Sequence, residues 1–157
     1  DRCLVGVVTD MDGFDTLADH DVREQGQMTR VMRTQIDVVL SEGAGVLNAD
    51  EEQVVDLARL CDGEVLLYST QADNAHIATH RADNAEGRAV FVKNNQVILA
   101  TGAQERVLGT LDALSLPGGR RPDTPALLAA IAAAWSMDIA PDLIGAGIKT
   151  FEYTPAA

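Results

Sequence analysis

Short continuous apolar runs punctuate the first half of the chain. Cys3 to Thr9, Gly45 to Leu47 and Val65 to Tyr68 are rich in Val, Leu and small residues, with no polar alternation. Such runs are typical of strands buried on both faces of a parallel sheet. Between them the apolar positions switch to helical spacing. Met28, Val31, Met32, Ile36 and Val39 mark one face of a helix running from Arg23 to about Leu40. Val54, Leu57, Ala58 and Cys61 are spaced i, i+3, i+4, i+7, and Gly63 stands where such a helix would end. The β-α-β-α-β order predicts parallel strands joined by right-handed crossovers.

The pattern then changes. Gln71 to Gly87 is polar and without periodicity, which predicts a loop. "RAVFVKNNQVILAT" predicts a hairpin, because Asn94-Asn95 tolerate positive φ between two β-rich runs. A further strand is expected over Gly109 to Leu116, stopped by Pro117-Gly118-Gly119. Thr124-Pro125 reads as an N-cap with a first-turn proline, and Leu127, Leu128, Ile131 and Trp135 form the apolar stripe of the helix that follows. A shorter helix is expected from Pro141 to near Lys149. The fold class is therefore α/β: a parallel part over 1–69, a small antiparallel patch over 88–116 and a helical end over 124–149. No internal repeat is evident.

Composition narrows the choice of function. The 157 residues suffice for about one domain with one sizeable core. Acidic residues outnumber basic ones by 24 to 12, a formal charge of -12. Nucleic acid is disfavoured as a partner, because phosphate neutralisation needs clustered Lys and Arg. An anionic membrane surface is disfavoured for the same reason. The longest apolar run, Ala126 to Trp135, is about half of the roughly 20 residues that span a bilayer. Cys3 and Cys61 have no metal-type spacing and read as free thiols of a reducing cytosol, so a cytoplasmic location is expected. The chain opens directly into a strand and closes on a loop-like tail, and so reads as a piece of a longer protein.

Candidate chemistry gathers where strands give way to helices. In "GAGVLNADEEQVVDLA", Asn48 ends a strand on the edge where open α/β sheets place ligands. Asp50 and Gln53 have the spacing of a capping box, worth about 1 kcal/mol, so Asp50 reads either as a helix cap or as a ligand group. "TDMDGFDTLADHD" brings Asp10, Asp12, Asp15, Asp19, His20 and Asp21 just past the first strand. An oxygen-rich loop there suits Mg²⁺, which takes one or two carboxylates together with water and phosphate oxygens; a solvated acidic loop is the alternative. His76 and His80 are four apart, as in zinc-binding helices, but Ile77 replaces the glutamate that a metalloprotease pattern requires. "GAGIKT" is not a phosphate loop, because Ile148 precedes the lysine and the stretch closes a helix instead of opening one.

Three stretches taken together resemble one known family. "VGVVTD", "GVLNADEEQVVDLARLCDGEVLLYS" and "LLAAIAAAWSMDIAPDLIGAGIKTF" are similar, in this order, to the later part of the central ATP-dependent module of Mur-type ligases, and most of all to cyanophycin synthetases. "RTQIDVVL" and "HRADNAEGRAVFVKNNQVILATG" resemble the intervening segments. The resemblance implies a Mur ligase central-domain-like fold, here a partial domain. It implies a parent enzyme that uses ATP and Mg²⁺ to phosphorylate the β-carboxylate of a poly-aspartate backbone, arginine then displacing the phosphate. Asn48 and Asp50 match the family's strand-end motif and are the expected cofactor-binding residues; Asp10, Asp12 and Asp15 are the expected metal-binding ones.

Other positions depart from the family. Its phosphate loop would precede Asp1. Thr9-Asp10 stands in place of Thr-Asn, Phe14-Asp15 in place of Asp-His, and Glu51 in place of a second Asp. "MTRVMRTQ" lacks the helix lysine, Lys93 and Lys149 being the only lysines, and Ala126 replaces the asparagine that meets adenine. No catalytic residue is therefore expected within the chain, and the isolated chain is expected to be inactive. Expected partners are the remainder of the parent chain, an arginine or poly-aspartate polymer, and a second copy through a bare sheet edge. A non-catalytic scaffold and a fragment of a folate-polyglutamate ligase are the alternative readings.

Overall fold

In the computed structural model, residues 3–114 and 123–151 are described. The chain runs through β1 (Cys3–Val8), a 3₁₀ segment (Phe14–His20), α1 (Gln25–Asp37) and β2 (Val39–Asn48). It continues with α2 (Glu52–Val55), which passes into a 3₁₀ turn (Asp56–Leu60), then β3 (Glu64–Ser69), α3 (Ala75–Asp83) and β4 (Arg88–Lys93). β5 (Gln96–Thr101), β6 (Gln104–Thr110), α4 (Thr124–Ser136) and α5 (Pro141–Thr150) complete it. The sheet has six strands in the order β1-β2-β3-β4-β5-β6.

Strand order dictates the layering. β1 to β4 are parallel neighbours, so each crossover steps in the same direction along the sheet. Right-handed crossovers that all step one way must lie on one face. That face holds α1, α2 and α3 over Ile36, Leu47, Val54, Leu67, Ile77 and Phe91. Alternate residues of the same strands point the other way: Val46, Leu66, Tyr68, Val90 and Leu99 meet Leu127, Leu128, Ile131 and Ile144 of α4 and α5. Burying three large side chains of α4 contributes several kcal/mol at about 25 cal/mol per Å².

Several sequence expectations change. Four strands are parallel, because β4 pairs with β3 before the hairpin begins. The Gln71 to Gly87 stretch contains α3, a helix with one residue, Ile77, fully inside; one buried contact leaves too weak a periodicity to read. The strand expected over Gly109 to Leu116 is displaced to β6, with Leu111 to Leu114 in turns; Leu116 and Pro117 to Gly119 lie outside the described residues. α4 is capped by the Asp123 carboxylate, which accepts from the Ala126 N–H at 3.3 Å, and Thr124 is already helical. Val39 starts β2 and is no part of α1, while Val31 is exposed. Gly63 packs close instead of capping a helix: a Cβ there would collide with the Gly43 carbonyl oxygen. The hairpin forms as expected, with φ of 51° and 62° at Asn94 and Asn95.

The two outer strands differ in character. β6 is edged by exposed Gln104, Glu105 and Arg106, charges that discourage pairing with another strand. β1 has no neighbour on its outer side among the described residues, and Leu4 and Val7 are 59% and 37% exposed.

At the amino end of the parallel strands, Arg88 fastens three elements. Its Nε donates to Glu64 at 2.7 Å, a terminal nitrogen also donates to Glu64, and the other donates to the Trp135 carbonyl at 2.8 Å. The guanidinium carbon stacks 5.2 Å from the Trp135 ring centre. Hydrogen bonds donated to Glu64 hold Arg88 firmly protonated against the opposing effect of burial. Replacing Arg88 by Ala strips Glu64 and Trp135 of their partner and is expected to cost roughly 2 kcal/mol. Urea unfolding followed by Trp135 fluorescence checks this; a midpoint equal to wild type would refute it.

Candidate functional site

The carboxyl ends of β1, β2 and β3 meet at one corner, and Asn48 is at its centre. It lies opposite Tyr68 in the β2–β3 ladder and is buried. Its Nδ2 donates to the Thr9 carbonyl just past β1 at 2.9 Å, and its Oδ1 accepts from the Asp50 N–H at 3.0 Å. One side-chain amide therefore joins the end of β1 to the turn that leaves β2. A buried amide with these partners is satisfied, and replacing it with an apolar group would leave a carbonyl and an N–H unpaired.

Asp50 reaches in the other direction. Its Oδ2 accepts from the Thr70 N–H at 2.8 Å and the Thr70 hydroxyl at 2.7 Å. Its Oδ1 accepts from the Ser69 hydroxyl and, at 3.3 Å, from Asn74 Nδ2. Asn74 Nδ2 also donates to the Ala49 carbonyl at 2.8 Å, while Asn74 Oδ1 caps α3 by accepting from the His76 and Ile77 N–H groups. The capping box expected between Asp50 and Gln53 does not form. Glu51 is the N-cap of α2 and makes no side-chain cap, and Gln53 instead accepts from Gln25 Nε2 at 2.9 Å. The reason is competition: four donors converge from the β3–α3 loop, more than one exposed helix terminus offers.

Sequence reasoning missed Ser69, Thr70 and Asn74. Their signal was present in "YSTQADNAHI": a strand ending in two hydroxyls, then an Asn placed to cap a helix.

The acidic loop after β1 is arranged differently. Asp10 Oδ1 accepts from the Asp12 N–H at 3.0 Å, and Oδ2 accepts from the Thr9 hydroxyl at 2.7 Å. Asp12 and Asp15 are exposed, Asp15 in the 3₁₀ segment. Among the described residues no three His, Cys, Asp or Glu side chains converge as a metal site. Asn48 and Asp50 turn their polar atoms to partners within the corner.

One group at the corner is left over. The Tyr68 hydroxyl is buried without a hydrogen-bond partner. Burial raises its pKa, reinforced by the negative charge of Asp10, Asp50, Asp123 and Glu51, so the phenol stays protonated. An apolar groove of about 560 Å³ between α4 and α5, lined by Leu127, Ile131, Leu143, Ile144 and Phe151, contains no titratable side chain and offers no chemistry.

The corner can be told from a helix cap by mutation. Asp50→Ala leaves the Thr70 N–H and the hydroxyls of Ser69 and Thr70 without their acceptor and is expected to cost about 2 kcal/mol. Gln53→Ala should change stability by less than about 0.5 kcal/mol. Thermal melts of both variants check this. Equal losses for the two would restore the capping box.

No family model matches the chain. It is similar to the cyanophycin synthetase of Crocosphaera subtropica, with 31% identity over 97% of this chain and 17% of that protein. The cyanophycin synthetases of Geminocystis herdmanii and of a Synechocystis strain are 30% and 32% identical over 96% and 99% of the chain. The chain thus spans about a sixth of the length of these curated relatives. In structure it is similar to a UDP-N-acetylmuramoylalanyl-D-glutamyl-2,6-diaminopimelate--D-alanyl-D-alanyl ligase from Acinetobacter baumannii, at a TM-score of 0.61 and 10% identity. That likeness covers 98% of this chain and 30% of the ligase, and it carries the fold alone. Over nearly its whole length, the chain is a distant homologue of one segment of cyanophycin synthetases, built on a Mur ligase fold.

Proposed function

We propose that the chain is the Mur-like segment of a cytoplasmic, ATP-dependent amide ligase of the cyanophycin synthetase kind. The parent enzyme transfers the γ-phosphoryl group of ATP to the β-carboxylate of a poly-aspartate backbone, releasing ADP. The α-amine of arginine then attacks the acyl phosphate, forms the amide and expels phosphate. The observation that supports this reading is the homology itself, 31% identity running through 97% of the chain. Asn48 and Asp50, matching that family's strand-end motif, fix the ligand-facing edge of the sheet in one arrangement, which is what positioning catalysis requires. Among the described residues no cluster of three metal-ligating side chains is present, and in this reading other segments of the parent protein supply the phosphate cradle and complete the metal centre. Those segments also cover the open edge of β1.

A second reading has an observation of its own. Asn48 and Asp50 spend their hydrogen bonds internally, and Ala126 stands where the family carries an asparagine. A scaffold that kept the fold and lost the chemistry would look the same at these positions.

The intact parent protein decides between them. Supplied with ATP, Mg²⁺, a poly-aspartate primer and labelled arginine, it is expected to incorporate the label only when ATP is present. The isolated chain is expected to hydrolyse no ATP above a heat-killed control. Folded parent protein that incorporates nothing would favour the scaffold. Tight Mg-ATP binding by the isolated chain would overturn the assignment of the cradle to other segments.

A further inference from the structure

We propose that α3 is a pH-responsive latch on the strand-end corner: proton uptake by His80 unseats the helix and releases the Asn74 side chain that holds Asp50. The inference is independent of the ligase reading. α3 is lightly held. It buries one residue fully, Ile77, and its start is fixed by Asn74, which donates to Ala49 and Asp50 and caps the helix. An element with so little buried surface opens at low free energy.

His80 lies on the inner side of this helix, and its Nε2 is buried without a hydrogen-bond partner. The packing there is tight: a Cβ on Gly87 would come within 3.2 Å of that nitrogen. Neutral imidazole tolerates the position, but imidazolium carries an N–H on both nitrogens and each needs an acceptor. None is free. Glu64 approaches from β3, but both its oxygens already accept from Arg88 of β4. Across the groove, Val55 and Ala58 of the α2 segment are apolar. His76, four residues earlier on α3, is paired with Glu52 of α2 at 2.8 Å.

Glu52, the partner of His76, is 76% exposed, so that pair holds α3 only weakly. A proton on His80 must be buried. Burial pushes His80 below its ordinary value, partly offset by the backbone of Arg88 and Val65 and by the Glu64 charge. With the folded pKa depressed, docking is complete above the unfolded value near 6.5 and is lost as pH falls below it.

Hydrogen exchange on the intact chain, corrected for intrinsic rates, tests the latch. Between pH 7.5 and 5.5 the opening of residues 75–83 should rise by up to about tenfold, the increment set by a group of pKa near 6.5 in the open state. The Thr70 amide, bonded to Asp50, should lose protection in parallel. His80→Gln should abolish the pH dependence, whereas His76→Gln should preserve it. Constant protection of α3 across this range, or an unchanged response in His80→Gln, would overturn the proposal. Loss confined to α3 while Thr70 stays protected would overturn the coupling to the corner. Should His80→Gln fail to dock at pH 7.5, an NMR titration of the wild-type His80 ring decides: a folded pKa at or above 6.5 refutes the latch, and a lower one supports it.

Discussion

Parallel strands cannot be joined by tight turns, so their carboxyl ends are held in register only by what crosses between them. In this chain Asn48 and Asp50 provide that link. The Asn48 amide ties the loop after β1 to the end of β2, and the Asp50 carboxylate gathers the donors of the β3–α3 loop. Since α3 begins at Asn74, itself bonded to the same corner, the placement of three strand ends and one helix depends on two neighbouring side chains. A carboxylate accepting several hydrogen bonds in a partly buried site is among the stronger polar contacts a protein makes, and it fails as a unit when the acceptor is lost.

The opposite end of the sheet is fastened by other means. There Arg88 bridges Glu64 of β3 and the last turn of α4 while stacking on Trp135, joining the sheet to the helix packed on one of its faces. Arg81 does something comparable further along, donating to the Gly102 carbonyl at 2.7 Å and stacking over Phe91. Ionic and cation–π contacts thus secure the amino ends of the strands, and neutral and carboxylate hydrogen bonds the carboxyl ends.

Much of this was legible in the sequence, for physical reasons that differ by element. Runs such as Val65 to Tyr68 have no exposed face, and Asn94-Asn95 fit a turn that needs positive φ; both signals are local and both were read correctly. β4 as a fourth parallel strand was not legible, because its pairing with β3 depends on the crossover through α3, and α3 has a single buried residue to announce it. The site was half legible. Asn48 and Asp50 stood out by residue type and position, yet their partners lie twenty or more residues away, at Thr9 and at Ser69 to Asn74. Short-range spacing favoured Gln53 as the partner of Asp50, and only tertiary structure shows that the loop donors win. The family resemblance supplied the fold, since it rested on several stretches in one order and not on any single position.

A double-mutant cycle tests the central claim, that Asp50 links the end of β2 to the loop after β3. Asp50→Ala, Thr70→Val and the double variant would be unfolded in urea under identical conditions. The Thr70 hydroxyl lies 2.7 Å from the Asp50 carboxylate, so a coupling of about 1 kcal/mol or more is predicted. Losses that add within about 0.3 kcal/mol would contradict the account, because residues that do not share an interaction behave independently.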